Sequence, residues 1–490
     1  MTDFSLVKIL LLTPPNQNKL VMERKKIIND AFGSYPPLGL LYIATYIKKK
    51  LANKAEIRII DTSIEYKNYE ELEDEIRDFS PQIVGITCMT PTLRDVKKTL
   101  HIVKCISPDT VTVIGGPHVS SFKELALSLD DADFGIFGDG ELPFLQLVCA
   151  LFFNEGKIDQ ICGLLRREGP DIVTNPGSLQ QIPIDELPIP DRNFVMYDKY
   201  RCPVGAKKTM ATLISSRGCP SKCTFCNSTD KLYRSRNIKK VVDEIEYLIS
   251  IGFNEVFFFD DVFGITAKRI LDFCAEIIKR KIHVSWGFRA RVAVINEEVM
   301  MALKAAGCER IQFGIETHTN SGLKSLRKDI TVDQIKMAIG LCYKYKIHSM
   351  GSFMLNLPGD SRQSILERFS FANSIGLDYV QYAILVAYNH CEIFNEGARL
   401  GYWAADLWSN FAKNPDVPMA TPIFNNGLTR KELDDLLDEG LFSFYFRYKL
   451  IFQRFRNLHS PAEAWKLLKG AFNLVKIKFL QKIDLARPGQ

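Results

Sequence analysis

The chain has 490 residues, 46% of them hydrophobic and 24% charged, with a net charge of +6. That composition excludes a disordered or fibrous chain and supplies enough apolar mass for two or three cores. The charge is no argument for nucleic acid, because residues 441–490 carry ten Lys/Arg against two Asp/Glu and the other 440 residues sum to −2. Twelve cysteines, scattered except for one trio, form no disulfide framework and suit a reducing compartment, so a cytoplasmic location is expected. The start, MTDFSLVKILLLTPP, reads as a first strand and not a signal peptide, and no apolar run reaches the ~18 residues of a membrane span.

In chain order, short apolar runs at 8–13, 56–61, 82–87, 110–116 and 133–138 read as strands, with helical stretches such as 36–50 and 93–105 between them. That alternation predicts a doubly wound parallel sheet, Rossmann-like, over residues 1–150. Ligands of such sheets sit beyond the carboxyl ends of the strands. Gly115-Gly116-Pro117-His118 and Gly138-Asp139-Gly140-Glu141 fall there, as do Thr87 and Thr90. Residues 151–205 lose the periodicity and read as a linker, proline-rich over 182–200.

A second alternation covers 206–400, with strands at 210–216, 255–261, 284–290, 310–316, 349–357 and 379–387. Six strands in that length are too few for a closed eight-stranded barrel, so a partial (β/α)6 barrel is expected. Residues 401–490 lack strand patterning and read as helices. There is no P-loop, no GxSxG and no HExxH.

Directly after the first barrel strand stands RGCPSKCTFCNS, residues 217–228, with thiols at Cys219, Cys223 and Cys226. A structural zinc wants four ligands, yet Cys202 lies 17 residues upstream and no histidine occurs between His118 and His283. A catalytic zinc on three cysteines, and three buried cysteines without metal, both stay open, although the loop's Gly, Pro, Ser and Lys suit a core cysteine poorly. An iron–sulfur cube held by three thiolates leaves one iron free for a ligand, and the loop sits on the catalytic face of a barrel.

Cys-x3-Cys-x2-Cys with Phe225 before the last cysteine resembles the radical S-adenosylmethionine superfamily. The resemblance implies a [4Fe–4S] cluster on Cys219, Cys223 and Cys226 whose open iron binds S-adenosylmethionine and cleaves it to a 5′-deoxyadenosyl radical. FFFDDVF at 257–263, FGIETHTNSGLKSLRKDIT at 313–331 and MLNLPGD at 354–360 extend the likeness. They nominate Asp260 or Asp261, according to strand register, and Glu316 for the cofactor's ammonium and ribose, and Arg289 or Arg291 for its carboxylate.

The preceding domain, with TPPNQNK, PPLGLLYIATYI, IVGITCMT, IGGPHVS and FGIFGDGELPF in order, resembles the cobalamin-binding domain of one large branch. The D-x-H-x-x-G motif that ligates cobalt in many cobalamin proteins is replaced by TPPNQNK, so cobalamin is expected without a protein histidine on the metal. His118 is the histidine nearest the pocket and reads as a loop residue held by hydrogen bonds. The competing reading is a degenerate module that binds nothing or another nucleotide.

Together the parts imply a methyltransferase acting on an unactivated carbon. Oxidative cyclisation of a magnesium-porphyrin monomethyl ester is the alternative within the family. A cobalamin-sensing module with a vestigial barrel and an RNA-modifying methylthiotransferase are alternatives of other classes. Expected partners are a small-molecule substrate, lipid or porphyrin-like, and a reductant such as flavodoxin or ferredoxin. The basic, aromatic tail over 441–490 suggests either weak contact with a membrane surface or a cap on the barrel. Where many relatives carry a P-G-T turn, this chain has His390 and Cys391, the latter a hydrogen-atom donor or a small loop residue.

Overall fold

The computed structural model describes residues 6–20, 35–65, 67–176, 181–200 and 210–447. Strand β1 (Val7–Thr13) is apolar in consecutive positions because it is covered on both faces. Ile9 and Leu11 pack with Leu41, Ile47, Phe144 and Leu147 on one side. Leu10 and Leu12 pack with Leu72, Ile76, Leu100 and Val103 on the other.

Around β1 lie β2 (Ala55–Asp61), β3 (Ile83–Thr87), β4 (Val111–Gly115) and β5 (Phe134–Ile136) in the order 2-1-3-4-5, all parallel. The order reverses between β1 and β3, so their carboxyl-terminal loops diverge and leave a crevice. Helices Leu38–Leu51, Tyr69–Phe79, Leu93–Ile106 and Pro117–Phe122 lie in the four crossovers, and Glu141–Phe152 follows β5.

Residues 164–174 depart from the linker expected there. They form an antiparallel hairpin, β6 (Leu164–Glu168) and β7 (Asp171–Thr174), that extends the sheet from β5. These strands are short and partly charged, as edge strands are, and so give little alternation to read.

The second sheet is six parallel strands in the order β15 (Tyr379–Ile384), β14 (His348–Leu355), β13 (Cys308–Glu316), β12 (Ser285–Ala290), β11 (Glu255–Phe258) and β8 (Ala211–Leu213). Among the described residues β15 and β8 do not pair, so the barrel is open. Helices Ile238–Ser250, Ala267–Lys279, Glu297–Ala305, Val332–Tyr345 and Arg362–Ser374 cover its outer face. The run at 210–216, expected as one strand, splits after Leu213. Ser216–Arg217 becomes β9, paired antiparallel with β10 (Arg234–Ser235), so the cysteine loop is closed at its base.

One apolar cluster joins the two units, running from Leu10 and Leu12 to Leu326, Leu357, Leu385 and Trp408. Helices Glu392–Arg399, Leu407–Lys413 and Arg430–Tyr445 follow the barrel. The tail expected as a basic amphipathic helix lies outside the described residues from 448 onward. Among the described residues no helix is long and apolar enough to cross a membrane.

Candidate functional site

The cysteine loop leaves β9 through Gly218, which has φ +81°. A Cβ there would stand 2.2 Å from the Leu232 carbonyl oxygen, so glycine is obligatory. Cys219 N–H donates to the Asp230 carbonyl (3.1 Å) and Cys226 N–H to the Cys223 carbonyl (3.2 Å). Segments after β13 and β15 brace the loop at its middle, with Thr224 N–H donating to Leu326 O (3.2 Å) and Ile393 N–H to Thr224 O (3.0 Å). Cys219, Cys223 and Cys226 are free, partly exposed thiols. Burial raises the Cys223 thiol, Lys328 opposes the rise, and Cys226 and Cys219 add to it. Among the described residues no three Cys, His, Asp or Glu side chains meet as ligands of a single metal ion.

The two acids after β11 have different fates. Asp260 is buried, accepting from Ser215 N–H (2.7 Å), Ser215 Oγ (2.5 Å) and Ser216 Oγ (2.8 Å). Burial pushes its carboxyl up to about 6 while these donors pull it back. Asp260, nominated with Asp261 for the cofactor, is therefore enclosed and pins the root of the cysteine loop. Asp261 is open at the rim. The surrounding protein raises its carboxyl and Asp230 adds to the rise, while Arg289 and the Gly218 N–H oppose it.

The two arginines after β12 also part. Arg291 donates to Ser221 Oγ (2.9 Å), inside the cysteine loop. Arg289 lies 4.4 Å over the Phe259 ring, its pKa lowered by desolvation. Glu316 ends β13 at a register shift with φ +69°, and its Oε1 is 3.2 Å from Lys328 Nζ. Lys328 Nζ is also 5.9 Å from the Phe225 ring. Sequence reasoning passed over Lys328, whose signal was a cation twelve residues after the strand-end acid. The MLNLPGD turn is structural: Asp360 pairs with buried Arg368 at 2.7 Å and accepts from Leu357 N–H at 2.8 Å.

At the crevice of the first sheet, Gly116 has φ +104° and a Cβ there would come 3.2 Å from the Cys88 carbonyl. At Gly115 the nearest atom to a Cβ is 3.6 Å away, so that side stays open. Thr87 is half-buried beside Gly116. Thr90 is buried, its Oγ1 3.0 Å from His118 Nδ1. His118 is fully enclosed against Phe122, and burial lowers its pKa to about 3. Its Nε2 is buried with no hydrogen-bond partner. The loop after β1 is anchored by Asn18, whose N–H donates to Asp95 (2.9 Å) and whose Nδ2 donates to Asp95 (2.9 Å) and Tyr69 Oη (3.1 Å).

The sequence Gly138-Asp139-Gly140-Glu141, expected at a ligand, instead grips the base of the cysteine loop. Arg217 Nη2 is 2.6 Å from Glu141 Oε1 and its Nη1 is 3.0 Å from Asp139. Arg234 lies 2.6 Å from Asp139 and 2.7 Å from Asp230. Burial works against the Arg217 charge, but Glu141 and Asp139 more than offset it. A second tie joins His390 Nε2 to the Ser121 carbonyl. Cys391 is buried, its Sγ 2.9 Å from the Tyr388 carbonyl and within electrostatic reach of Cys226. The strand ends of the two sheets thus face one another across the cysteine loop.

Residues 24–148 match the family described as B12 binding domain, and residues 213–372 match the Radical SAM superfamily. A relative from Pyrococcus horikoshii, described as an uncharacterized methyltransferase, is 30% identical over 458 residues, 91% of this chain and 94% of its own length. The chain belongs to the cobalamin-dependent radical S-adenosylmethionine enzymes. An anaerobic magnesium-protoporphyrin IX monomethyl ester cyclase from Rubrivivax gelatinosus is 29% identical, over 74% of this chain and 66% of its own length. The fold is shared with the radical S-adenosylmethionine methyltransferase TsrM from Kitasatospora setae, a structure described with cobalamin and a [4Fe-4S] cluster bound. There the TM-score is 0.64 at 16% identity, covering 80% of this chain and 75% of that one. Within this enzyme family the doubly wound sheet and the open barrel are the two expected units.

Proposed function

We propose that this chain methylates an unactivated carbon of a small molecule. Cys219, Cys223 and Cys226 hold a [4Fe–4S] cluster, S-adenosylmethionine binds its open iron, and cobalamin occupies the crevice between β1 and β3. The observation that carries the reading is three free thiols in the loop after the first strand of a parallel open barrel, the base of that loop tied by Arg217 and Glu141 to a strand end of the other sheet.

The residues present fit both groups. Thiolates are the ligands iron–sulfur clusters take. The open side of Gly115 and the half-buried Thr87 line the crevice. The loop after β1 carries no histidine and His118 is enclosed, so a bound cobalamin would take no imidazole from this chain. When bound, the cluster supplies the electron that opens the sulfonium to a 5′-deoxyadenosyl radical, and cobalamin supplies the methyl group.

The chain's own residues hold and align. Asp261 and Glu316 offer carboxylates to the methionyl ammonium and the ribose. Arg291, tied to Ser221 between two of the cysteines, would be the arginine to meet the cofactor's carboxylate. Lys328 offsets thiolate charge beside Cys223. Phe225 and the apolar junction of Leu326, Leu357 and Leu385 keep water from the space between the sheets. In this reading residues 1–150 with the 164–174 hairpin form the cobalamin unit and 206–400 the radical unit. The protein works in the cytoplasm with a flavodoxin or ferredoxin as reductant.

Methyl transfer is preferred over cyclisation because the methyltransferase relative matches across 94% of its length and the cyclase across 66%. The test is anaerobic reconstitution with cluster, cobalamin and reductant. Wild type forms 5′-deoxyadenosine, and the triple Cys→Ala variant forms none. Persistent 5′-deoxyadenosine in that variant refutes the cluster assignment.

A further inference from the structure

The concave face of the second sheet carries polar side chains that the reading above does not use. In β13, Ile311, Phe313 and Ile315 are buried in the core shared with helix Val332–Tyr345. By strand alternation Gln312 and Gly314 face the lumen. In β14 and β15, Phe353, Leu355, Val380 and Tyr382 take the helix side, so Ser352 and Gln381 face inward. Gln312, Ser352 and Gln381 are half-exposed where their neighbours along each strand are buried.

Register brings these groups together. Arg289 stands beside Gln312, and Ser352 stands between Gly314 and Gln381. Four adjacent strands thus present one arc. Among the described residues the side chains of Gln312, Ser352 and Gln381 have no hydrogen-bond partner, and Arg289 forms no ion pair and rests on Phe259. Ser352 and Gln381 stand three residues, about 10 Å, below their strand ends, and Arg289 stands one residue below its own, so the arc descends from the rim into the barrel.

Unpartnered amides and a half-buried guanidinium on one wall are costly unless a ligand or water pairs with them. Hydrocarbon placed there strips their water and returns nothing. Two amides and a hydroxyl match carbonyl, hydroxyl or amide groups. A guanidinium with its fork free matches a carboxylate or phosphate.

We infer that this arc is the binding site for the polar head of the substrate, and that the substrate is a water-soluble anionic small molecule rather than a hydrocarbon lipid. The inference rests on the proposed radical reaction only for what happens after binding. Thermal denaturation of the full-length reconstituted protein at constant ionic strength tests it, with inorganic phosphate, acetate and 1-hexanol as probes. The expected result is a midpoint raised by about 2 °C by an anion at roughly ten times its Kd. Which anion is effective distinguishes phosphate from carboxylate. Arg289→Met and Gln381→Leu each abolish the shift, the second without removing a charge. A shift retained in both variants, no shift with either anion, or a larger shift with 1-hexanol overturns the inference. Wild-type 5′-deoxyadenosine formation is read in parallel without any probe. Its loss with the anion shift intact sinks the radical reading and leaves the site standing; its presence without an anion shift does the reverse.

Discussion

The grip of Glu141 on Arg217 sets the geometry of the cysteine loop, and its strength can be worked out. Glu141 is 3% exposed and Arg217 presents both guanidinium nitrogens to it, at 2.6 and 3.3 Å. Two unit charges about 4 Å apart attract by about 4 kcal/mol at an effective dielectric of about 20. Desolvation of both ions offsets part of this, leaving about 2 kcal/mol for the pair. Glu141→Gln keeps an acceptor and leaves Arg217 with Asp139, so it costs about 2 kcal/mol. Arg217→Met strands a buried carboxylate and costs about 3–5 kcal/mol.

The assay is a double-mutant cycle on chemical unfolding of the full chain, with iron and sulfide content read in each variant. Coupling near 2 kcal/mol is expected, because the residues touch and share one network. Iron content falls in both single variants, since Arg217 immediately precedes Gly218 and Cys219. Coupling below about 0.5 kcal/mol, the value of an exposed pair, refutes the reasoning. So does full iron loading in Arg217→Met.

Further outcomes follow from single residues. His118 is neutral in the fold with a pKa of about 3, below the ordinary value near 6.5, so only the unfolded chain takes up the proton. Stability is complete above about pH 6.5 and falls as pH drops toward 3, by about 2 kcal/mol at pH 5. His118→Gln flattens that slope, and an unchanged slope in urea titrations at pH 7 and 5 counts against it. Gly218→Ala, forced onto Leu232 O at φ +81°, lowers iron per chain several-fold, whereas Gly115→Ala folds normally and weakens cobalamin binding in a spectral titration. Normal loading in the first, or normal cobalamin affinity in the second, contradicts the placement of that glycine. Lys328→Met removes a cation beside Cys223 and moves the cluster potential negative by roughly tens of millivolts in redox titration. An unmoved potential excludes Lys328 from the cluster's surroundings.

The parts of this fold written in local pattern were legible, and those written in long-range pairing were not. β1 declared itself by an apolar run, β13 by alternating apolar residues, and the cysteine trio by spacing alone. Asp260 and Asp261 could not be told apart, because the inward residue depends on where β11 ends against β8 and β12. The partners of Asp139 and Glu141 lie 76 to 95 residues away, at Arg217 and Arg234. Nothing near 138–141 announces them, and the motif's position beyond a strand end suggested a ligand instead. The hairpin at 164–174 was missed because edge strands avoid the continuous apolar runs that mark buried ones.

One long-range property was nevertheless present in the strands. VKILLLT in β1 is apolar at consecutive positions, since helices cover both faces of its sheet. CERIQFGIE in β13, HSMGSFML in β14 and YVQYAI in β15 interrupt the apolar run every second residue toward their ends. A buried parallel strand has no reason to admit Gln312, Ser352 or Gln381 unless one of its faces meets something other than a helix. The parallel strands of the two sheets thus differ in what their inner positions tolerate. The first sheet is covered by helices on both faces. The second keeps a polar wall inside, where a soluble ligand can be held beneath the cysteines.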